Sequence, residues 1–410
     1  MACLLPFGTL ALAQTPTTVG LVALYGFDAS LADGTGNTSN GGVASGIVEF
    51  GCGVRGSAAA LSGGNDFVRI PGGDARNNVN AEFDTEDFTV SLYFKPTGTT
   101  GNQFLLAKRD TNCNNNQYFL LRYAPRTRTV SVTLRENAQS ANVTYAIDNT
   151  SCWQHVAVVR DELRVRLYVN GAEVGEAGTQ SRVNVDNAGP LLIGSATCRN
   201  SAERPFSGLI DEVRVYNRAL RNSEVAQLYF SPDRIVNTPD RVFLGESIDV
   251  SLNSNCGVAF DWEPAAGVDA PDEAEPTITP TAAGEQTYRV SIADAETECV
   301  ATDELTLQVI DPNTLDCGRV FLPKAFTPNG IGPAENETFG ISNPFAIPEL
   351  VSFEIYDRYG GRVFAATDAF ARWDGSFRGQ PVNPGIFLWR VVYRCAGQEL
   401  VQTESVTVLR

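Results

Sequence analysis

The sequence predicts an all-β protein, and three observations carry that prediction. Glycine and proline supply 37 and 21 of the 410 residues, a frequency of chain breaks that suits short strands joined by turns. Apolar residues alternate with other residues in several stretches, a period typical of strands with one buried face. Residues 20–230 contain many such stretches without long helical patterns between them, which indicates one large sandwich. The chain length suits two or three domains.

Individual strands are clearest between residues 88 and 216. Phe88, Val90, Leu92 and Phe94 alternate with smaller or polar residues, as in a half-buried strand. The stretch 163–169 alternates in the same way, and Asn170-Gly171 then predicts a two-residue hairpin turn. Residues 213–216 repeat the pattern.

Residues 1–13 are predicted to be a signal peptide. The apolar run from Leu4 to Ala13 is too short to span a bilayer, and Ala11-Leu12-Ala13 is typical of a cleavage site. No later stretch is apolar for long enough to predict a membrane helix. We therefore expect an extracellular or outer-surface protein without a membrane span.

The formal charge of −17 is concentrated in the middle of the chain. Residues 1–230 carry a net charge of −2, residues 231–312 carry −14, and residues 313–410 carry −1. The acidic segment is interpreted as a solvated spacer surface. Without a basic stripe to neutralise phosphates, the net charges of the three segments argue against nucleic-acid binding.

Eight cysteines follow the predicted signal peptide, and they divide four, two and two over these three segments. Even counts are what disulfides within each domain require, and they indicate an oxidising compartment. Zinc binding is disfavoured because the chain has one histidine and no Cys-x-x-Cys pair. We expect Cys256–Cys299 and Cys317–Cys395 to pair, while Cys52, Cys113, Cys152 and Cys198 allow three pairings.

A family resemblance covers residues 20–230. It rests on motifs that occur in order along this segment: Leu24–Asp28, Asp33–Asn37, Ala60–Gly63, Cys152–Ala157, Leu167–Gly171 and Phe206–Leu220. They resemble the laminin G-like jelly roll of the concanavalin A-like lectin superfamily. The resemblance implies a jelly-roll sandwich and favours the pairs Cys113–Cys198 and Cys52–Cys152. It leaves the ligand open, because this superfamily includes lectins, adhesion modules and hydrolases.

Two further resemblances organise the rest of the chain. Residues 235–311, with Trp262 between Cys256 and Cys299, look like a small immunoglobulin-like or polycystic-kidney-disease-type β-sandwich. Residues 317–410 contain the motifs Phe321–Gly330, Ile355–Gly360 and Trp373–Gly375, and they resemble the gliding motility-associated C-terminal domain. That resemblance implies a C-terminal β-sandwich that serves as a sorting signal for type IX secretion, whose machinery would be a partner.

Two patterns could indicate catalysis. Glu82, Asp84 and Glu86 have the spacing that, on a strand, places carboxylates on one sheet face, as in retaining glycosidases. We favour a loop here, because the flanking residues lack the alternation of a buried strand. His155 is the only histidine and starts an apolar strand, where a packed role is favoured over acid–base chemistry.

A calcium site is predicted at the edge of the jelly roll. The resemblance implies that Asp211 and the loop bearing Asp33 and Asn37 converge, with Asp28 as a weaker ligand. Calcium takes about 6–8 oxygen ligands of these kinds. The alternative is that Asp33 and Asn37 only build turns.

The predicted function is a secreted or cell-surface binding or adhesion protein that is not an enzyme. Its partners would be an extracellular glycan or protein ligand and the type IX secretion machinery. The alternatives are a glycan hydrolase that uses Glu82 and Glu86, and a structural surface or gliding component.

Overall fold

A computed structural model describes residues 16–72, 77–84, 86–148, 152–331, 333 and 336–409. These residues are mostly β-strand with little helix, so the all-β prediction is confirmed. The predicted signal peptide lies outside the described residues. The chain divides into two compact units: the first comprises residues up to 240, 245–281 and 285–307, and the second comprises 241–244, 282–284 and the residues from 308 onward.

The N-terminal part of the first unit is built from sixteen strands in the described residues. They are β1 (Leu21–Tyr25), β2 (Val43–Ser45), β3 (Glu49–Cys52), β4 (Ser57–Ser62), β5 (Phe67–Ile70), β6 (Phe88–Pro96), β7 (Asn102–Arg109), β8 (Gln117–Ala124), β9 (Thr129–Glu136), β10 (Gln139–Ala146), β11 (Gln154–Asp161), β12 (Arg164–Val169), β13 (Ala172–Gly178), β14 (Leu191–Ile193), β15 (Glu203–Pro205) and β16 (Ser207–Tyr216). Two 3₁₀ helices (Thr38–Asn40 and Val79–Phe83) and one short α-helix, α1 (Asn222–Ala226), accompany them.

These strands form two sheets that enclose one apolar core. The first sheet has the order β13-β12-β11-β6-β16-β4-β3, with β1 paired to β16. The second has the order β10-β9-β8-β7-β14-β5-β2, with β15 paired to β7. Alternation decides which side chains enter the core: Phe119, Leu121 and Tyr123 of β8 are buried between the sheets, so Tyr118 and Arg122 point outward.

The outer face of the first sheet is covered. Helix α1 and the residues after it pack on Ala157, Val159 and Tyr168 in a second apolar cluster. The segment continues over Tyr93, whose hydroxyl donates a hydrogen bond of 2.9 Å to the carbonyl of Leu228. The chain itself therefore covers this face over strands β6, β11 and β12.

The middle of the chain adds eight strands: β17 (Arg234–Val236), β18 (Arg241–Phe243), β19 (Ile248–Asp249), β20 (Ser251–Asn253), β21 (Gly257–Glu263), β22 (Thr277–Ile278), β23 (Gly284–Asp294) and β24 (Val300–Ile310). A 3₁₀ helix, Pro312–Thr314, follows them. Strands β18, β24, β23 and β21 form a sheet in that order, while β17–β20 and β19–β22 are two-stranded. The loops before β21 and β24 meet, because the N–H of Ala295 donates to the carbonyl of Cys256 at 2.9 Å.

Two expected disulfides are wrong. Cys52 pairs with Cys256 and Cys152 pairs with Cys299, at Cα–Cα distances of 5.7 and 5.8 Å, instead of Cys52–Cys152 and Cys256–Cys299. The physical reason is position: Cys256 and Cys299 lie in loops that face the jelly roll, where each meets a jelly-roll cysteine within bridging distance. The expected pair Cys113–Cys198 is confirmed.

A buried ion pair strengthens this junction within the first unit. Lys95 of β6 pairs with Asp294 of β23, and their side chains are 1% and 4% exposed. Asn255 also donates a hydrogen bond of 2.8 Å to the carbonyl of Gly53. The middle strands are thus fastened to the jelly roll by two disulfides, an ion pair and hydrogen bonds.

The second unit contains β25 (Ala325–Phe326), β26 (Phe339–Gly340), β27 (Glu349–Tyr356), β28 (Arg362–Ala366), β29 (Arg372–Trp373), β30 (Ser376–Phe377), β31 (Gln380–Pro381), β32 (Gly385–Cys395) and β33 (Gln398–Val408). A 3₁₀ helix spans Pro344–Ala346. Strands β25, β33, β32, β27 and β28 form a five-stranded sheet, and the buried side chains of Phe353, Trp389 and Val406 belong to its core. The expected pair Cys317–Cys395 is confirmed, with a Cα–Cα distance of 5.5 Å.

Candidate functional site

Strand β16 carries two acidic residues at a β-bulge. Its pairing with β6 shifts register between Asp211 and Arg214, and Glu212 adopts a φ of 52°. Asp211 and Glu212 are 0% and 7% exposed, and Glu212 pairs with Arg214. Asp211 accepts hydrogen bonds from the N–H groups of Glu212 at 2.7 Å and Arg55 at 3.3 Å. Burial, and next the charge of Glu212, raise the pKa of Asp211 to about 8.

Two glycines let the loop after β3 approach the carboxylates of Asp211 and Asp28. A Cβ on Gly53 would lie 2.6 Å from Oδ2 of Asp211. A Cβ on Gly56, which has a φ of +53°, would lie 2.0 Å from Oδ1 of Asp28. The same oxygen of Asp28 accepts a hydrogen bond of 3.0 Å from the N–H of Ser57. Asp28 and Asp211 therefore contact one tight loop.

Glu212 approaches the same region, although the sequence did not single it out as a ligand. A Cβ on Gly26 would lie 3.6 Å both from Oδ2 of Asp28 and from Oε1 of Glu212. Even so, the described residues contain no group of three or more His, Cys, Asp or Glu side chains arranged to hold a metal ion. Calcium at this loop would need backbone carbonyls to complete its oxygen ligands.

Asp33 and Asn37 lie in a separate turn. Oδ1 of Asp33 accepts hydrogen bonds of 2.9 Å from the N–H of Thr35 and from a backbone N–H of β1. Oδ2 of Asp33 accepts from the hydroxyl of Thr35 at 2.7 Å and from the amide of Asn40 at 2.9 Å. Asn37 accepts a hydrogen bond of 3.0 Å from the N–H of Ser39. Donors within the turn thus occupy the side-chain oxygens of Asp33 and that of Asn37.

Glu82, Asp84 and Glu86 lie outside the strands of the structure, whereas the hydrolase alternative needs them on one strand. Glu82 belongs to the 3₁₀ helix Val79–Phe83, and Asp84 follows it and accepts a hydrogen bond from the N–H of Glu86 at 2.7 Å. The carboxylates therefore lack the period of two that would place them together on one sheet face.

His155 is a packed residue of the first sheet. It is 0% exposed, and its Nε2 lies 2.8 Å from the hydroxyl of Ser91. Its ring lies 4.8 Å from the ring of Tyr93, measured between centroids. Burial, and next the charge of Arg214, lower the pKa of His155 to about 3. The imidazole is therefore neutral at physiological pH.

The outer face of the second sheet presents an aromatic ring between arginines. The strand registers place Arg109 of β7 opposite Tyr118, Tyr118 opposite Arg135 of β9, and Arg135 opposite Ser140 of β10. The next outward row is the buried one of Ala107, Leu120 and Thr133, and Arg122 of β8 lies in the row after it. The name Tyr118 face is used below for Arg109, Tyr118, Arg122, Arg135 and Ser140. None of the five is fully buried.

Contacts fix the geometry of the Tyr118 face. The guanidinium carbon of Arg109 lies 5.1 Å from the centroid of the Tyr118 ring. Arg135 donates to the Tyr118 hydroxyl at 3.4 Å. Arg122 pairs with the buried Glu203 at 3.3 Å and donates to Thr133 at 3.1 Å. The ring and the guanidinium groups are therefore held in place by the sheet.

Two clefts lie where the jelly roll meets the loop before β24. One of about 560 Å³ is lined in part by the acidic residues Glu49, Asp66 and Glu296. The other, of about 630 Å³, includes Tyr123 and Gln154 beside the Cys152–Cys299 disulfide. They offer a second location for a small polar ligand, with acidic rather than basic walls in the first cleft.

Comparisons with known proteins agree with two of the sequence resemblances. Residues 62–226 match the family model described as the concanavalin A-like lectin/glucanases superfamily. Residues 320–408 match the model of the CHU_C type IX secretion signal domain. The chain carries a concanavalin A-like domain and a type IX secretion signal domain. The secretion signal marks the chain for export to the cell surface or the extracellular space. No helix in the described ranges has both the length and the apolar character needed to cross a bilayer.

Individual proteins are similar to parts of the chain. The adhesion G-protein coupled receptor V1 of Danio rerio is 25% identical over 154 residues, which are 36% of this chain and 2% of the receptor. Domain 4 of AbnA, a GH43 extracellular arabinanase from Geobacillus stearothermophilus, solved with arabinotriose, has a TM-score of 0.40 and 25% identity and covers 51% of this chain and 98% of that domain. The Ruminococcus gnavus IT-sialidase CBM40 has a TM-score of 0.36 and 17% identity over 45% of this chain and 100% of that module.

Proposed function

We propose that this exported chain is a non-catalytic glycan-binding protein whose concanavalin A-like domain binds carbohydrate on the Tyr118 face. The single observation that carries the proposal is the half-buried aromatic ring of Tyr118, which lies between Arg109 and Arg135. Aromatic rings stack on the apolar faces of sugars, and fixed polar side chains bond to the hydroxyl groups.

The arrangement of the two sheets supports this choice of face. Helix α1 and the residues after it cover the first sheet, while the second sheet keeps polar side chains on strands β8 to β10. Ser140, Asn142 and Thr144 are exposed on β10 and add hydroxyl and amide groups beside the arginines. A rigid sheet surface with partly exposed polar side chains is suited to bind a ligand without rearrangement.

Binding without catalysis is favoured by the placement of the acidic and histidine candidates. Glu82 and Glu86 lie on and after a 3₁₀ helix, and His155 is buried and neutral. Neither provides the pair of facing carboxylates that glycoside hydrolysis uses.

Affinity electrophoresis of the full chain in gels with and without polysaccharides tests the proposal. Tyr118→Ala should weaken retention by about tenfold, because stacking residues dominate such interfaces. Tyr359→Ala, at an 83% exposed tyrosine of the second unit, is the matched control. Loss of retention in variants of the 630 Å³ cleft but not in Tyr118→Ala would place the site elsewhere. Absence of any retention would favour a purely structural role.

Calcium binding by the jelly roll also remains our proposal. Asp28 and Asp211 are supported as ligands because the loop at Gly53 and Gly56 contacts both carboxylates, whereas Asp33 and Asn37 lie in a separate turn. Bound calcium would compensate the negative charges that the buried Asp211 and Glu212 side chains carry when both are ionised. At 100 times its dissociation constant, the ion would add about 2.7 kcal/mol of stability.

Thermal unfolding of the full chain in calcium and in excess chelator tests this site. Asp211→Asn should remove the calcium-dependent shift in the midpoint, and Asp33→Asn should retain it. Equal midpoints of the wild-type protein in both conditions would contradict calcium binding.

A further inference from the structure

We propose that the Tyr118 face binds an extended anionic polysaccharide. This inference rests on the glycan binding proposed above and names the class of ligand. Two observations carry it: positive charge is concentrated on four neighbouring strands, and several arginines there form no ion pair in the described residues.

The strands that form the Tyr118 face are basic in an acidic protein. Residues 102–146 hold six basic and two acidic side chains, a net charge of +4 in a chain of −17. These residues form β7, β8, β9 and β10, which are consecutive neighbours in the second sheet. The sheet therefore concentrates positive charge on one part of the surface, which attracts anionic ligands.

Four of these cations form no ion pair with a carboxylate among the described residues. Glu203 pairs with Arg122. In the described part of the chain, no carboxylate forms an ion pair with Arg109, Arg126, Arg128 or Arg135. An anion that binds here gains attraction without breaking an existing pair.

The outward cations are all arginines. The remaining basic residue, Lys108, is buried and donates hydrogen bonds of 2.6 and 2.5 Å to the carbonyls of Asn187 and Gly189. A guanidinium group binds a carboxylate or a sulfate through two parallel hydrogen bonds. Arg109 and Arg135 flank the Tyr118 ring across two strand spacings, about 10 Å.

The arginines continue along the β8–β9 hairpin. Arg135 lies beside Tyr118, Arg122 lies further along β8, and Arg126 and Arg128 are exposed at the turn. Strand β9 runs from the turn that holds Arg126 and Arg128 to Arg135, a span of about 20 Å. A row of this length fits a charged polymer better than a single sugar.

Binding of the full chain to polygalacturonate and to its methyl ester tests the charge requirement. The two polymers share a backbone and differ in the carboxylate. We expect at least tenfold tighter binding to the acid form, weakening as salt rises. Arg135→Gln should lower affinity for the acid form about tenfold, with partial rescue by Arg135→Lys. Arg164→Gln, at a 62% exposed arginine of the first sheet, is the matched control.

The outcomes separate this inference from the glycan-binding proposal. Equal binding to both polymers, unchanged in Arg135→Gln, would overturn the anionic ligand and leave glycan binding standing. Binding to neither these polymers nor any neutral glycan would overturn both. Tighter binding to heparin than to polygalacturonate would support the inference and identify sulfate as the preferred anionic group of the ligand. Tighter binding to polygalacturonate would support it and identify carboxylate. Equally tight, Arg135-dependent binding to duplex DNA would overturn the choice of a polysaccharide.

Discussion

At the scale of single residues, burial changes the chemistry of His155. Its ring is enclosed by the first sheet, its Nδ1 has no hydrogen-bond partner in the described residues, and its pKa falls to about 3. The unfolded chain binds a proton near the ordinary value of 6.5, whereas the folded chain does not. The contribution of this residue to stability is therefore complete above pH 6.5 and is lost as the pH falls toward 3.

We predict that His155→Gln makes unfolding of the jelly roll less sensitive to acid. Between pH 7.5 and 5.0 the wild-type protein should lose about 2 kcal/mol more unfolding free energy than the variant, since each pH unit below 6.5 costs about 1.4 kcal/mol. Urea unfolding of both proteins at the two pH values measures the difference. The same loss in both proteins would contradict the neutral, buried imidazole.

At the scale of elements, the disulfides turn two groups of strands into one unit. Cys52–Cys256 and Cys152–Cys299 close loops of 204 and 147 residues between the jelly roll and the middle strands. Lys95 and Asp294 pair at the same junction with little exposure. Most of the middle segment is therefore fastened into the first compact unit and is not a free spacer.

Peptide mapping without reduction should recover peptides that join Cys52 to Cys256 and Cys152 to Cys299. Replacing Cys152 and Cys299 together by serine should destabilise the first unit by about 2–5 kcal/mol, because the unfolded chain regains freedom over a long loop. The matched control replaces Cys317 and Cys395, which lie in the second unit, and should leave the unfolding transition of the first unit unchanged. Recovery of a Cys256–Cys299 peptide would contradict the structure.

At the scale of the whole molecule, the secretion signal domain and the concanavalin A-like domain belong to different compact units. The secretion signal domain, residues 320–408, has its own sheet and its own apolar core. The concanavalin A-like domain has a separate core between its two sheets. A mutation in the secretion signal domain can therefore leave the core of the concanavalin A-like domain intact, and the reverse also holds.

Removing residues 317–410 should trap a folded protein in the periplasm of a host with type IX secretion. We expect the truncated chain to keep the unfolding midpoint of the first unit, because that unit keeps its core and three of the disulfides. Fractionation and immunoblotting measure its location, and Arg164→Gln, at an exposed residue of the first unit, serves as an exported control. Efficient release of the truncated chain would contradict the role of this domain.

The sequence by itself determined the fold class and the export route. Strand alternation has a period of two residues, so it is visible in stretches such as Phe88–Phe94 without knowledge of distant contacts. The pairs Cys113–Cys198 and Cys317–Cys395 were also predicted, the first from the family resemblance and the second from the even number of cysteines in its segment.

Only the tertiary structure decided which surfaces and partners meet. Cys256 and Cys299 bond to the jelly roll because their loops face it, and no local pattern encodes that direction. The β-bulge buries Glu212 beside Asp211, while Asp33 and Asn37 form a separate turn. The net charge of +4 over residues 102–146 was visible in the sequence but was averaged out in the total for residues 1–230. It became a candidate site once strand register placed Arg109, Tyr118 and Arg135 side by side, because cross-strand neighbours are set by pairing and not by sequence distance.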